Sequence, residues 1–178
     1  MNELEGLNSK VHLCQKCEYS KKYGSPVKGY GNYQSKLMFV FEKPNGEACL
    51  LDEPFDPKTK SFLKKFLDIN EVYSTCLLKC PCSTVPSRRN TRICIGEFLF
   101  KENKLLNPSI IVTFGKLAAQ NFLNAGKNNL DFSPYSSYNL TDGPVVFTFP
   151  AIGSILNGDK SGLLEFEDRL RGILESVY

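Results

Sequence analysis

The runs Leu37-Met38-Phe39-Val40-Phe41 and Ile110-Ile111-Val112 decide the fold. A strand with one wet face alternates apolar and polar residues. These runs hold no polar position, as expected for strands buried on both faces of a parallel sheet. Extended to Lys36–Glu42 and Ser109–Phe114, they join two more β-branched or aromatic runs, Val72–Leu78 and Val145–Phe149, as four expected strands. Between them, apolar residues at helical spacing predict helices at Ser61–Leu67, Arg92–Lys104 and Lys116–Leu123, and a further one at Gly162–Glu175 follows the last strand. Strand and helix alternate, which predicts an α/β three-layer sandwich with a mainly parallel four-stranded central sheet. Ligands of such sheets gather beyond the carboxyl ends of the strands, so Glu42–Asn45, Cys76–Cys82, Gly115 and Pro150–Leu156 are expected on one rim. Lys127–Gly143, rich in Asn, Ser and Tyr, reads as a long loop or ill-defined hairpin, and Cys80–Asn90 as irregular.

A chain of 178 residues, 42% hydrophobic and 23% charged, can bury one real core, and a single domain over residues 1–178 is expected. No low-complexity tract, heptad run or long repeat is present, which excludes collagen-like, coiled-coil and solenoid classes. The longest apolar runs fall far short of the roughly 20 residues a membrane span needs. Met1–Lys10 mixes Glu3, Glu5 and Lys10 with leucines and lacks the basic-then-apolar pattern of a secretory leader, so a cytoplasmic location is expected. Asn139-Leu140-Thr141 matches a glycosylation sequon by chance on that reading. The net charge of +3 names no partner by itself.

Seven cysteines, an odd number without a secretory leader, argue against a disulfide framework and for metal or cluster ligation. Cys14-Gln15-Lys16-Cys17 is a C-x-x-C pair, able to direct two thiolates from one turn at one centre. Cys80, Cys82 and Cys94 form a second set at the end of the second strand and in the next helix. Four thiolates from two separated segments can enclose zinc or an iron-sulfur cluster. The alternative is that they are small buried hydrophobes, which suits the unpaired Cys49 and Cys76 better than a pair in a polar, Lys-rich segment.

The order C-x-x-C, Lys36–Pro44, Pro54-Phe55, Val72–Thr75 with Lys79-Cys80, Cys94 and Pro108–Val112 resembles the family-four uracil-DNA glycosylases, the iron-sulfur branch of the uracil-DNA glycosylase superfamily. The likeness runs from about Leu13 to Leu123, with a weaker tail. It implies a 4Fe-4S cluster held by Cys14, Cys17, Cys80 and Cys94. Cys82 competes with Cys80, and the preceding Lys79 favours Cys80. The catalytic motifs depart from the pattern. The family's Gly-Glu-(Gly/Ala)-Pro-Gly appears here as Phe41-Glu42-Lys43-Pro44-Asn45, keeping Glu42 and Pro44 and losing the glycines that let a flipped nucleotide come close. Phe41 and Lys43 are therefore expected to crowd or recharge the pocket. Phe55 matches the ring that stacks on the extruded base, and Cys76 replaces the family's Asn at the base edge. The family's His-Pro histidine is missing from Phe147–Ser154, and the one histidine, His12, lies beside the C-x-x-C.

Lys79, Arg88, Arg89 and Arg92 fall in a 14-residue stretch without Asp or Glu, which the resemblance places beside the cluster, where the family meets the phosphate backbone. A solvated basic loop is the plainer explanation. Ile155 and Leu156 correspond to the family's duplex wedge or belong to the core. Two functions follow from the resemblance. The favoured one is an iron-sulfur, DNA-binding module with little or no uracil excision, serving as a replication or repair accessory or as a scaffold for a protein partner. The other is a divergent DNA glycosylase in which Glu42 positions water. A zinc protein unrelated to DNA is the third possibility.

Overall fold

The computed structural model describes residues 3–24, 26–82, 86–124, 132–141 and 143–176. Five strands form one sheet: β1 (Leu37–Phe41), β2 (Tyr73–Cys76), β3 (Ile110–Phe114), β4 (Ser136–Asn139) and β5 (Val145–Phe149). Their order is β2-β1-β3-β5-β4; β2, β1, β3 and β5 run parallel and β4 pairs antiparallel with β5. The expected four-stranded sheet thus gains a fifth, antiparallel edge. β4 lies in the stretch read as a loop or hairpin, of which residues 127–131 and 142 fall outside the described residues. Its sequence Ser-Ser-Tyr-Asn carries little strand propensity, and pairing of Tyr138 with Val146 and Asn139 with Val145 holds it extended.

Helices cover both faces. The helix α1 (Glu3–His12), the continuous rod of α5 (Arg88–Cys94), a π-turn (Ile95–Leu99) and α6 (Phe100–Leu106), and the helix α7 (Lys116–Leu123) bury Leu4, Leu7, Leu99 and Phe122 against Met38, Val40, Ile111 and Val146. On the other face α4 (Pro57–Leu63), α8 (Ile152–Leu156) and α9 (Lys160–Glu175) pack Phe62, Ile152, Phe166 and Leu170 on Leu37, Phe39, Phe41 and Phe114. Alternate residues of β1 thus feed opposite cores, which explains its unbroken apolar run. The short helices α2 (Glu18–Tyr23) and α3 (Gly46–Leu51) complete the order.

Three helices start earlier than their apolar spacing predicts, α9 by two residues behind Asp159, because caps decide helix ends. Asp56 accepts from the Thr59 N–H at 2.8 Å ahead of Pro57 at the first turn. Ser87 accepts from the Asn90 N–H at 3.2 Å and opens α5 at Arg88. No helix among the described residues is long and apolar enough to cross a membrane.

Candidate nucleotide pocket and thiol cluster

The sheet changes direction of growth between β1 and β3, and a crevice opens there beyond their carboxyl ends, where open α/β sheets bind ligands. A pocket of about 200 Å³ occupies it, lined by Phe41, Glu42, Lys43, Asn45, Pro54, Phe55, Asp56, Thr59, Phe114, Ala151, Ile152 and Gly153. Two of the four expected rim segments, those after β1 and β5, thus meet here. Glu42 is fixed by its neighbours. Its Oε1 accepts the Leu117 N–H at 2.8 Å, from the first turn of α7, while Oε2 has no protein partner among the described residues. Gly115 makes this seat possible: it holds φ +106°, and a Cβ there would stand 2.4 Å from Glu42 Cδ and Oε1.

The apolar half of the pocket is filled by its own side chains. The Phe41 ring, 7% exposed, meets Phe55 edge-to-face at 5.6 Å and stacks on Phe114 at 5.0 Å and 22°. Phe55 meets Tyr30 at 5.5 Å on another side. Lys43 lines the pocket, yet its ammonium donates to the Cys82 carbonyl and stands 3.6 Å from Cys82 Sγ. Asn45 and Asp56 are committed to each other and to the caps of α3 and α4.

Two residues of the expected substrate motifs, Cys76 and Pro44, do not reach the pocket. Cys76 is buried below it and donates to the Pro54 carbonyl at 3.1 Å, so it anchors the loop that carries Phe55 and reads no base edge. Burial is the main cause that pushes its thiol far above the ordinary range. Pro44 is buried one residue ahead of the α3 cap and lies outside the lining. His12 pairs with Asp52 at 3.3 Å, away from the pocket, and Ile155 and Leu156 rest half-buried on the core.

The cysteines converge beside β2. Tyr19 and Glu18 of α2 tie the C-x-x-C segment to α5: the Tyr19 hydroxyl accepts the Ser87 N–H at 2.9 Å, and Glu18 accepts from Asn90 Nδ2 at 2.6 Å. Cys94, the last residue of α5, accepts the Lys79 N–H on Sγ at 3.3 Å. Burial first, then the neighbouring Cys94, Cys17 and Cys14, pushes the Cys80 thiol up to about 12. Cys94 is likewise pushed up to about 12, mainly by burial, with Cys14 and Cys17 adding to it and the Lys79 amide and ammonium opposing it. Cys17, Cys80 and Cys94 pack in one small cluster, and Cys14 lies near enough to add to the rise at Cys80 and Cys94, as Cys49 also does at Cys80. Cys82 shares the small apolar cluster of Cys17, Tyr19, Cys80 and Cys94, but its sulfur faces Lys43. Among the described residues no three His, Cys, Asp or Glu side chains are close enough to grip a single metal ion.

Lys79 is not a phosphate contact. It is 1% exposed, and its ammonium lies 2.7 and 2.8 Å from the two oxygens of Glu102, itself fully buried in α6. Thr75 and Tyr73 donate to the same carboxylate at 3.1 and 3.0 Å. A positive charge paired this way inside the protein presents no field to a nucleic acid. Arg88, Arg89 and Arg92 are exposed along α5 and have no ion-pair partner among the described residues.

Comparison with known proteins identifies the family. The profile of the uracil DNA glycosylase superfamily matches residues 28–165. A type-4 uracil-DNA glycosylase of Archaeoglobus fulgidus is 30% identical over 131 residues, 70% of this chain and 65% of that protein. Type-4 enzymes of Thermotoga maritima and Saccharolobus solfataricus are each 27% identical, over 70% and 65% of this chain and 68% and 57% of their own lengths. The chain thus spans a little under two-thirds of the Archaeoglobus relative. The matched region holds β1, β3 and β5, the crevice between β1 and β3, and Glu42 at its mouth, and on that evidence the chain belongs to the uracil DNA glycosylase superfamily.

Proposed function

We propose that this chain is an iron-sulfur, DNA-binding protein of the glycosylase type with little or no uracil excision, acting as an accessory or scaffold in replication or repair. The observation that carries this reading is the Phe41 ring, wedged between Phe55 and Phe114 on the surface where an extruded base would stack. No imidazole lines the pocket to meet charge on a leaving base. Losing one such preorganised donor costs on the order of a hundredfold to a thousandfold in rate.

Cys14, Cys17, Cys80 and Cys94 would hold the 4Fe-4S cluster, a set favoured over one with Cys82 because the Cys82 sulfur faces Lys43. The donor set fits: it is all sulfur, comes from two segments locked together by α2 and α5, and is partly buried. When bound, the cluster would cross-link those segments through four iron–thiolate bonds. Arg88, Arg89 and Arg92 would then meet phosphates beside it.

One observation favours an active enzyme instead. Glu42 is held at the pocket with Oε2 unpartnered, as a water-positioning base requires. Single-turnover assays on uracil-containing single-stranded and mismatched DNA, with iron content measured in the same sample, separate the two. Salt-sensitive binding without strand breaks at abasic sites is the expected result. Excision that disappears in Glu42→Gln overturns it.

A further inference from the structure

A groove of about 660 Å³ runs between α5 with its π-turn and α7, with Arg88, Arg92, Phe100, Leu117, Gln120 and Asn121 among its walls and no Asp or Glu among the described residues that line it. We propose that this groove takes an unpaired single strand of DNA, with phosphates on Arg88 and Arg92 and a base stacked on Phe100. The inference rests on the DNA-binding reading and adds to it the form of DNA and where the strand runs.

Three observations carry it. The first is charge: neither guanidinium has an ion-pair partner among the described residues, so both are available to a polyanion. The second is Phe100, 38% exposed at the groove wall and braced edge-on against Phe122 at 6.5 Å. An exposed ring beside unpaired cations is the pairing that non-sequence-specific single-strand binders use. The third is proximity. Leu117 lines the groove, and its N–H holds Glu42 at the mouth of the pocket, so one residue of α7 borders both.

Stacking selects the unpaired form. A base can lie on the Phe100 ring only when it is out of a duplex. Leu117 to Asn124 spans about 10 Å along α7, the length of wall open to the strand. Gln120 and Asn121 offer amides there. Asn121 Nδ2 is spent on the Leu117 carbonyl at 2.9 Å, which leaves its Oδ1 to accept from a base edge.

The test is fluorescence anisotropy on the full chain, purified with its iron retained, using a labelled dT12 strand and a 12-base-pair duplex between 50 and 200 mM salt. The wild type is expected to bind dT12 more tightly than the duplex. Phe100→Ala should weaken dT12 binding by about 5- to 150-fold, the worth of one base–aromatic stack, with the salt slope unchanged, and Phe100→Tyr should restore it. Arg88→Ala with Arg92→Ala should lower the salt slope by about 1.4, the share of two phosphates on a single strand. DNA binding that ignores all three substitutions, or that favours the duplex, overturns the groove and leaves the DNA-binding reading standing. Binding of neither DNA removes that reading and the groove together.

Discussion

Replacing Glu102 by Gln should cost this protein more stability than any exposed substitution, because it strands a buried ammonium. Lys79 and Glu102 are 1% and 0% exposed, and the ammonium spans both carboxylate oxygens at 2.7 and 2.8 Å. Glutamine keeps the shape and one acceptor but leaves Lys79 with no counter-charge, and breaking one side of a buried pair costs about 3–5 kcal/mol. For a chain of this size each kcal/mol lowers the melting temperature by roughly 2–4 °C, so the expected fall is on the order of 6–20 °C. Calorimetry measures it, and urea denaturation with an unchanged slope would confirm that both end states are intact. The double variant Lys79→Met/Glu102→Leu removes both charges and should recover at least half of the loss, even though the Thr75 and Tyr73 hydroxyls lose their shared acceptor. A Glu102→Gln protein melting within about 2 °C of wild type would refute this reasoning, as would a double variant less stable than both singles.

Three other expectations follow from the pocket and the second strand. Gly115→Ala must strain a backbone at φ +106° and push Glu42 off the Leu117 amide; a loss of about 1–3 kcal/mol is expected, with faster hydrogen exchange at Leu117. Phe41→Gly should cost roughly 3–5 kcal/mol of core packing and open the apolar half of the pocket, so that free uracil perturbs the NMR spectrum of the variant and not that of the wild type. Burial pushes the Cys76 thiol and the Tyr73 phenol up, with the Glu102 charge adding to both and Lys79 opposing the rise at Cys76. The folded state then keeps protons that the unfolded chain releases from about pH 9 upward, so stability should fall with rising alkalinity. Cys76→Ala should flatten that slope in urea titrations between pH 8 and 10.5, and an unchanged slope would dissociate Cys76 from it.

The parallel core of the sheet was legible because burial on both faces leaves a continuous apolar run, and Leu37–Phe41 supplies alternate side chains to two separate cores. The edge strand was not, because Ser136–Asn139 is polar and gains its extended form from β5, a neighbour that periodicity within four residues cannot reveal. Caps account for the shifted helix starts: Asp56-Pro57 and Ser87-Arg88 are local start signals, and apolar spacing alone overlooks them. The crowding of the pocket by Phe41 was legible from the missing glycine, whereas the route of Lys43 out of the pocket to Cys82 depends on a loop 39 residues further along.

Lys79 and Arg88 show where reading charge along the chain fails. Both lie in one acid-free stretch of 14 residues, and by sequence each is an equally good phosphate contact. Their difference comes from elements outside that window. Lys79 follows β2, an edge strand that is buried on both faces, so its side chain has an interior to enter, and Glu102 waits there 23 residues away. The intervening π-turn helps to place that carboxylate. Eight positions separate Cys94 from Glu102, which in a plain α-helix at ~100° per residue would set them about 80° apart. A π-turn absorbs about one extra residue, which brings Glu102 to within roughly 20° of the Cys94 face. Both residues then meet Lys79, Cys94 through its amide and Glu102 through its ammonium. Arg88 and Arg92 stand one helical turn apart on the same rod, on the side turned from this pair, and lack an acidic partner among the described residues. An unpaired cation facing solvent across a groove whose described lining holds no carboxylate still has its full charge to offer a ligand. A cation buried on a carboxylate has already spent it, and that is the physical ground on which we propose DNA for the arginines and structure for the lysine.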